Sequence, residues 1–235
     1  MRLCTWNIRA GGGKRTTAIA ETILAMAPDV LVLTEFRPGP GQALLELLAQ
    51  MDYQATVGIP PRPTGVNCTC VLTRSPHEQF ESTRIPISHH RWLAVRLPDH
   101  DLSVLGAHVP NESEAWNKAD FMDSLVAFAE RHAESRAVIL GDLNTAHDED
   151  CEGDPIRAAV YFRALEDLGW KDAWRQCNLG AREFTWYSHK QNGFRLDHCY
   201  VSPCLAPAVV ASSNDHSVRT NGLSDHSLLL TTLRD

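Results

Sequence analysis

The sequence predicts a layered α/β protein. Short apolar runs, DVLVLT at residues 29–34 and AVIL at residues 137–140, have the length and composition of buried strands. Stretches with apolar residues at helical spacing, residues 16–27 and 113–132, lie between such runs. Polar residues close the apolar runs. In a layered protein the ends of buried strands are rigid supports facing solvent, where sites are usually built.

The first strand is RLCTWNI, residues 2–8, followed by a flexible Gly11-Gly12-Gly13 turn. Ile19, Ile23, Leu24 and Met26 mark a helix that Pro28 closes. Residues 29–34 form a strand that delivers Glu35, and residues 42–51 a short amphipathic helix. Residues 53–57, 66–73, 91–97 and 102–109 then read as successive strands with Pro- and Gly-rich turns between, a pattern of antiparallel sheet. Residues 113–132 are the longest helix, with Ser113 as N-cap and Trp116, Phe121, Leu125 and Phe128 on its apolar side. The strand ending in Gly141-Asp142-Leu143-Asn144 follows, and an extended backbone there points Asp142 and Asn144 the same way. Residues 145–155 are acidic and read as a solvated loop without the spacing of an EF-hand. A helix over 156–168, a turn and short helix over 169–175, strands over 184–187 and 193–201, and a last strand over 228–233 complete the chain.

The chain has 235 residues, 43% hydrophobic and 22% charged, which suits one α/β domain over residues 1–235 with a sizeable core. No apolar run approaches the roughly 18 residues of a membrane span. The N-terminal MRLCTWNIRAGGG has no apolar signal core. Seven cysteines, an odd number, are expected as reduced thiols in a cytoplasmic protein. Cys68-Thr69-Cys70 lacks zinc spacing and lies in a strand-like run, so both cysteines are core residues. No internal repeat and no sequence feature implies a protein partner, and a monomer is expected. The net charge of −7 argues against a non-specific nucleic-acid binder with a basic face. It leaves room for an enzyme with an acidic, cation-loaded centre, where the bound metal reverses the local field.

Asn7, Glu35, His108, Asp142, Asn144, Asp197, Asp225 and His226 all close or interrupt apolar strands. Each alone has a plainer reading: a strand-end carboxylate, a structural histidine, an ordinary Gly-Asp-Asn turn. Together their four carboxylates and two amides are hard oxygen ligands suited to magnesium or manganese, beside two imidazoles and with no cysteine among them. A histidine beside an aspartate, plus a second buried aspartate, suggests an imidazole oriented by a carboxylate. The set fits metal-assisted attack of water on a phosphate ester. A nucleophile elbow, a P-loop and a dinucleotide fingerprint are all missing, so acyl transfer, NTP-driven work and hydride transfer are poorly supported.

Taken in order, TWN ending at Asn7, the apolar strand ending in Glu35, HVPN at residues 108–111, GDLN at 141–144, RLD at 195–197 and SDH at 224–226 resemble the endonuclease/exonuclease/phosphatase superfamily. The resemblance runs from Thr5 to His226. FTW at residues 184–186, GFRLD at 193–197 and the Val201-Ser202-Pro203 that follows look most like the exonuclease III and abasic-site endonuclease branch. The resemblance implies a four-layered α/β sandwich: two mixed β-sheets packed face to face, helices on both outer sides, and the site at one end. It implies Mg2+ or Mn2+ held by Glu35, with Asn7 and Asp225 in support. Asp142 would orient or deprotonate the attacking water, and Asn144 would hold Asp142 and the phosphate in place. His226 would contact the scissile phosphate while Asp197 fixes its tautomer, and His108 would donate to phosphate. Asn111, Trp186, Phe194 and Leu196 would bind substrate.

The implied activity is a metal-dependent DNA endonuclease or exonuclease. The sequence departs from that branch at three places. His108 stands where the abasic-site enzymes have Tyr, Phe36-Arg37 follows Glu35, and residues 59–67 and 188–192 are short. His108 and the short segments, with the net charge, favour the alternative of a phosphoesterase acting on a phospholipid, an inositol phosphate or a small metabolite. A non-catalytic scaffold would need lost motif residues, and none is lost.

Overall fold

The computed structural model describes residues 1–62 and 65–234, leaving Pro63 and Thr64 of the short segment 59–67 outside the described residues. The chain begins with β1 (Arg2–Asn7), α1 (Thr16–Met26), β2 (Val30–Phe36), α2 (Pro38–Ala49), β3 (Gln54–Val57), β4 (Cys68–Thr73) and β5 (Glu78–Gln79). It continues through β6 (Trp92–Leu97), β7 (Leu102–His108), α3 (Ala115–His132) and β8 (Ala137–Asp142). The remainder supplies α4 (Ala159–Asp167), β9 (Lys171–Asp172), α5 (Ala173–Cys177), β10 (Trp186–Tyr187) and β11 (Gly193–Phe194). It closes with β12 (Asp197–Val201), β13 (Val209–Asp215), α6 (Ser217–Thr220) and β14 (Leu228–Leu233).

Two six-stranded sheets result, ordered β13-β14-β1-β2-β4-β3 and β5-β6-β7-β8-β12-β9, beside a two-stranded β10-β11 ribbon. Each large sheet is mixed: β1 and β2 are parallel, as are β7 and β8, while their outer neighbours run antiparallel. Side-chain alternation explains why the central strands read as unbroken apolar runs. Leu3, Val30, Val32, Val104, Val138, Leu140, Cys199 and Val201 meet in the core between the sheets. The alternate residues Cys4, Trp6, Leu31 and Leu33 pack under α1 and α2 against Ile19, Ile23, Leu44 and Leu48. On the other sheet, Leu105, Ala137 and Ile139 pack against Phe121, Leu125, Phe128, Phe162 and Leu165 of α3 and α4. The layers are therefore helix, sheet, sheet, helix, the four-layered sandwich that the motifs imply.

The same alternation places the site. Asn7, His108, Asp142 and Asp197 share the inter-sheet face of their strands with Leu3, Val104, Leu140 and Cys199. They extend the inter-sheet layer past its apolar core, at one end of the sandwich. Two glycines let the backbones close up beneath them. A Cβ on Gly106 would lie 2.8 Å from Val71 Cγ2 of the opposite sheet. A Cβ on Gly141 would lie 1.8 Å from Ala107 O on the neighbouring strand, an impossible contact.

Several local expectations change. α2 starts at Pro38, not at residue 42. Pro38 and Pro40 fall in its first turn, where backbone N–H groups have no intrahelical partner to lose. The residue capping the turn before α3 is Asn111, whose side chain accepts from the Ser113 N–H at 3.0 Å, and not Ser113. Trp116 is 79% exposed, and the inward position in that turn of α3 belongs to Lys118. Residues 193–201 are not one strand, because the chain breaks at Arg195 and Leu196 between β11 and β12. The acidic segment is only partly solvated: Asp150 is fully buried against Arg195 and Arg175. The glycine turn is pinned, with Ala10 N–H donating to Glu35 Oε2 at 2.7 Å and Gly11 N–H to Glu35 O at 2.8 Å. All seven cysteines are free thiols, with Cys68 and Cys70 buried as expected.

Candidate active site

Asp142 ends β8 as the neighbour of two other site residues. Across the parallel pair it is the register partner of His108, and across the antiparallel pair that of Asp197. Its Oδ2 accepts from Asn7 Nδ2 at 2.9 Å and its Oδ1 from the Asn144 backbone N–H at 3.0 Å. Burial, first of all, pushes its carboxyl up to about 6; the charge of Asp197 adds to this, while His226 and the two hydrogen bonds oppose it.

His226 lies beside it, with Nδ1 2.9 Å from Asp197 Oδ2 and Nε2 3.9 Å from Asp142 Oδ2. Burial alone would discharge this imidazole. The carboxylates of Asp197 and Asp142 more than offset it and hold the group up to about 10. Asp197 is fully buried behind His226 and does not line the cavity itself. Its backbone N–H is anchored on Thr185 Oγ1 at 3.2 Å, and Oδ1 has no hydrogen-bond partner among the described residues. His108 Nε2 is 3.8 Å from Asp142 Oδ2. Burial, reinforced by the nearby Arg91, His226 and His90, pushes His108 well below its ordinary range, so it is neutral at pH 7.

The predicted parallel display of Asp142 and Asn144 is not extended geometry. Asn144 turns into the left-handed region, φ 45°, and donates its side-chain amide to Val109 O at 2.8 Å. Both residues still line one cavity of about 340 Å³, with Asn7, Glu35, His108, Asn111, Trp186, Leu196, Asp225 and His226. Phe194 lies instead in an adjoining open cavity of about 400 Å³, which shares Asn111, Asn144, Trp186 and Leu196 with the first. The Asn111 Oδ1 is taken by Ser113, leaving its NH2 group for the cavity.

Two lining residues were not foreseen, Asn67 and Arg91. Arg91 is held by Glu114 at 3.5 Å, and its buried Nε has no hydrogen-bond partner among the described residues. Arg37, which follows the Glu35 strand end, holds Asn67 through Nε–H to Oδ1 at 2.7 Å.

One wall of the cavity carries excess negative charge. Glu35 is in the left-handed region, φ 54°, where β2 slips register against β4. Neither Glu35 nor Asp225 has a salt bridge among the described residues. The neighbouring Arg15 spends its guanidinium on the carbonyls of Leu223 and Arg9. Two carboxylates with no salt-bridge partner among the described residues, beside the amide oxygen of Asn7, are a donor set that fits a hard divalent cation. Asp142, Asp197 and His226 also bring one potential ligand atom each within 4.8 Å of one another. A cation there would have to displace the His226–Asp197 hydrogen bond and sit beside a cationic imidazole, so the Glu35 wall fits better.

A sandwich of this layering, with carboxylates, amides and an Asp-held histidine between its sheets, defines a phosphoester-hydrolase architecture. The chain belongs to the Endonuclease/Exonuclease/phosphatase family, whose sequence profile matches residues 4–226. A sequence comparison with curated proteins returns no match. Among solved structures it is similar to the 3′ phosphatase NExo from Neisseria bound to a product DNA hairpin, at 22% identity and TM-score 0.82 over 100% of both chains. It is also similar to an AP endonuclease from Archaeoglobus fulgidus, at 18% identity and TM-score 0.83 over 99% of both. The AP endonuclease of Leishmania major matches at 19% identity and TM-score 0.80, over 100% of this chain and 87% of that one. These likenesses establish the shared fold.

Proposed function

We propose that the chain is a divalent-metal-dependent phosphodiester hydrolase that cleaves DNA as an endonuclease or exonuclease, nearest to the exonuclease III and abasic-site branch, and works as a single domain. The observation that carries the chemistry is the His226–Asp197 pair set beside Asp142. Asp142, as carboxylate, takes a proton from the attacking water, with both its oxygens fixed by Asn7 and Asn144. His226 presents a charged Nε2–H to a non-bridging phosphate oxygen, and Asp197 keeps Nδ1 protonated and the ring oriented. His108, uncharged, offers a neutral hydrogen bond to the same phosphate. Glu35, Asn7 and Asp225 would hold Mg2+ or Mn2+, which supplies Lewis-acid polarisation and stabilises charge on the leaving oxygen. Trp186 and Leu196 provide an apolar wall for the sugar, and Phe194 and Asn111 border the adjoining cavity.

The DNA-acting structural neighbours support the substrate class, as do the FTW and GFRLD motifs. The net charge of −7 favours a second reading, a phosphoesterase of the same fold acting on a lipid, an inositol phosphate or a small metabolite. A labelled duplex with one abasic-site analogue and a recessed 3′ end separates the two, incubated with magnesium, manganese or chelator. Incision or 3′ resection that needs metal and falls by roughly 10³-fold or more in Asp142→Asn is the expected result. Hydrolysis of an aryl phosphodiester without any cleavage of DNA would favour the second reading.

A further inference from the structure

Lys118 occupies a place where the helix pattern calls for an apolar residue. It continues the inward face of α3 that runs through Phe121, Leu125 and Phe128, and it is only 3% exposed. Its Nζ donates to the backbone carbonyl of Asn144 at 2.6 Å and lies 2.6 Å from Glu112 Oε1. Burying an ammonium is costly, and a leucine or methionine there would fill the same space without that cost.

What the ammonium touches explains its presence. Asn144 is in the left-handed region, φ 45°, a conformation that asparagine tolerates better than most residues but that its surroundings still have to hold in place. Three bonds enforce it here. The backbone N–H donates to Asp142, the side-chain amide donates to Val109, and the carbonyl accepts from Lys118. The first of these is also one of the two bonds that fix the Asp142 carboxylate. Releasing the carbonyl lets residue 144 relax its φ and ψ toward an ordinary conformation, which moves its N–H away from Asp142.

We propose that Lys118 is a positioning residue: by gripping the Asn144 carbonyl it keeps the 142–144 turn in the form that presents Asp142 and Asn144 to the phosphate. This rests on the reading of Asp142 and Asn144 as reacting groups.

The test uses two variants of the full chain. Lys118→Met keeps the volume and removes the donor, and Lys118→Gln keeps a neutral donor. Backbone amide exchange is followed by NMR in metal-free protein. Turnover of bis(p-nitrophenyl) phosphate is followed with magnesium. In Lys118→Met the Asn144 amide exchanges at least about tenfold faster while Val138 and Ile139 keep their protection, because only the turn loosens. Its kcat falls about 10–100-fold with KM changed by less than about threefold, the effect of a misplaced reacting group. Lys118→Gln lies between Lys118→Met and wild type in both measurements, and takes over the test if Lys118→Met does not fold. Wild-type exchange at Asn144, or a wild-type kcat, in the variant that folds overturns the proposal. Asp142→Asn run alongside separates the two failures. If it is inactive while Lys118→Met turns over normally, only the role of Lys118 falls; if it is fully active, the catalytic reading falls with it.

Discussion

Asp142 and Asp197 are register partners on adjacent antiparallel strands, both buried, with the His226 ring reaching each of them. Two carboxylates this close cannot both ionise in a low-dielectric site without a cation. The imidazolium of His226 is that cation, and it divides the roles. The carboxylate bonded to Nδ1 becomes its fixed counter-ion, and the other is left near neutral pH to exchange a proton.

Asp197→Asn tests that division. The amide removes the charge that holds His226 protonated, so the imidazole returns from about 10 toward its ordinary range near 6.5. Catalysis is expected to fall by roughly 10²–10⁴-fold, as when the orienting carboxylate of a catalytic histidine is replaced by an amide. An NMR titration of the His226 ring checks the first point, and kcat on a phosphodiester checks the second. A ring that still titrates near 10 would remove Asp197 as its counter-ion.

How much of this site the sequence displays depends on strand direction. Asn7, His108 and Asp142 end parallel central strands and announce themselves as polar residues after apolar runs. Asn67 and Arg91 come just before strands that run the other way, so the same end of the sandwich meets the beginnings of β4 and β6. Cys68 pairs with Phe36 beside Glu35, and Trp92 pairs with Ala107 beside His108. An antiparallel reading of those hairpins carries the information, since the residue before the second strand lies beside the end of its partner. Lys118 is illegible for another reason: helical spacing marks an inward position but says nothing of a charge buried there. Asp150 is hidden among acidic neighbours, and only the tertiary fold brings Arg195 to it.

His108 makes stability depend on pH. Its imidazole is held neutral, well below its ordinary range, chiefly by burial, whereas the unfolded chain titrates it near 6.5. Below that value the unfolded state binds more protons than the folded one, so stability rises with pH there. The contribution is complete above about pH 6.5 and is lost as pH falls, by up to about 1.4 kcal/mol per pH unit. Asp142, raised to about 6, works in the opposite direction between about pH 4 and 6. Urea unfolding of wild type and His108→Gln from pH 7.5 to 5 isolates the term as a difference. The two curves are expected to converge as the pH falls, and a constant gap would mean that His108 takes up its proton in the fold as readily as in the unfolded chain.

Metal binding should appear in stability before it appears in turnover. Glu35 and Asp225 line one wall of the cavity only in the folded chain, so a divalent ion that fits that wall stabilises the folded state alone. At a hundred times its dissociation constant such an ion adds about 2.7 kcal/mol. Magnesium or manganese is expected to raise the melting temperature of the wild type and chelator to reverse it. Glu35→Gln should lose most of that rise, read against its own metal-free melting temperature. An equal rise in Glu35→Gln would shift the ion toward Asp142 and Asp197, which also group with His226.

The loop that carries Ala146 and the turn that carries Leu196 are tied together from behind by a buried ion network. Arg195, 1% exposed, is 2.5 Å from Asp150 and 2.6 Å from Asp172. His198 joins from the next strand, with Nδ1 3.2 Å from Asp172 and Nε2 2.9 Å from Thr145 O. Burial works against the Asp172 carboxylate, but Arg195 and His198 overcome it and hold it far below the usual carboxylate range. Such a network contributes little when whole, since desolvation consumes most of its attraction, but breaking one member leaves a buried charge unpaired. Arg195→Met is therefore expected to cost about 3–5 kcal/mol in urea unfolding. Asp150→Asn should cost less, because Arg195 keeps Asp172 as a partner. The two costs should also be far from additive in the double variant, because the second substitution removes a charge that the first had stranded. Additive losses would mean that Arg195 and Asp150 stabilise the two segments separately, and that the 145–151 loop is held by its own packing.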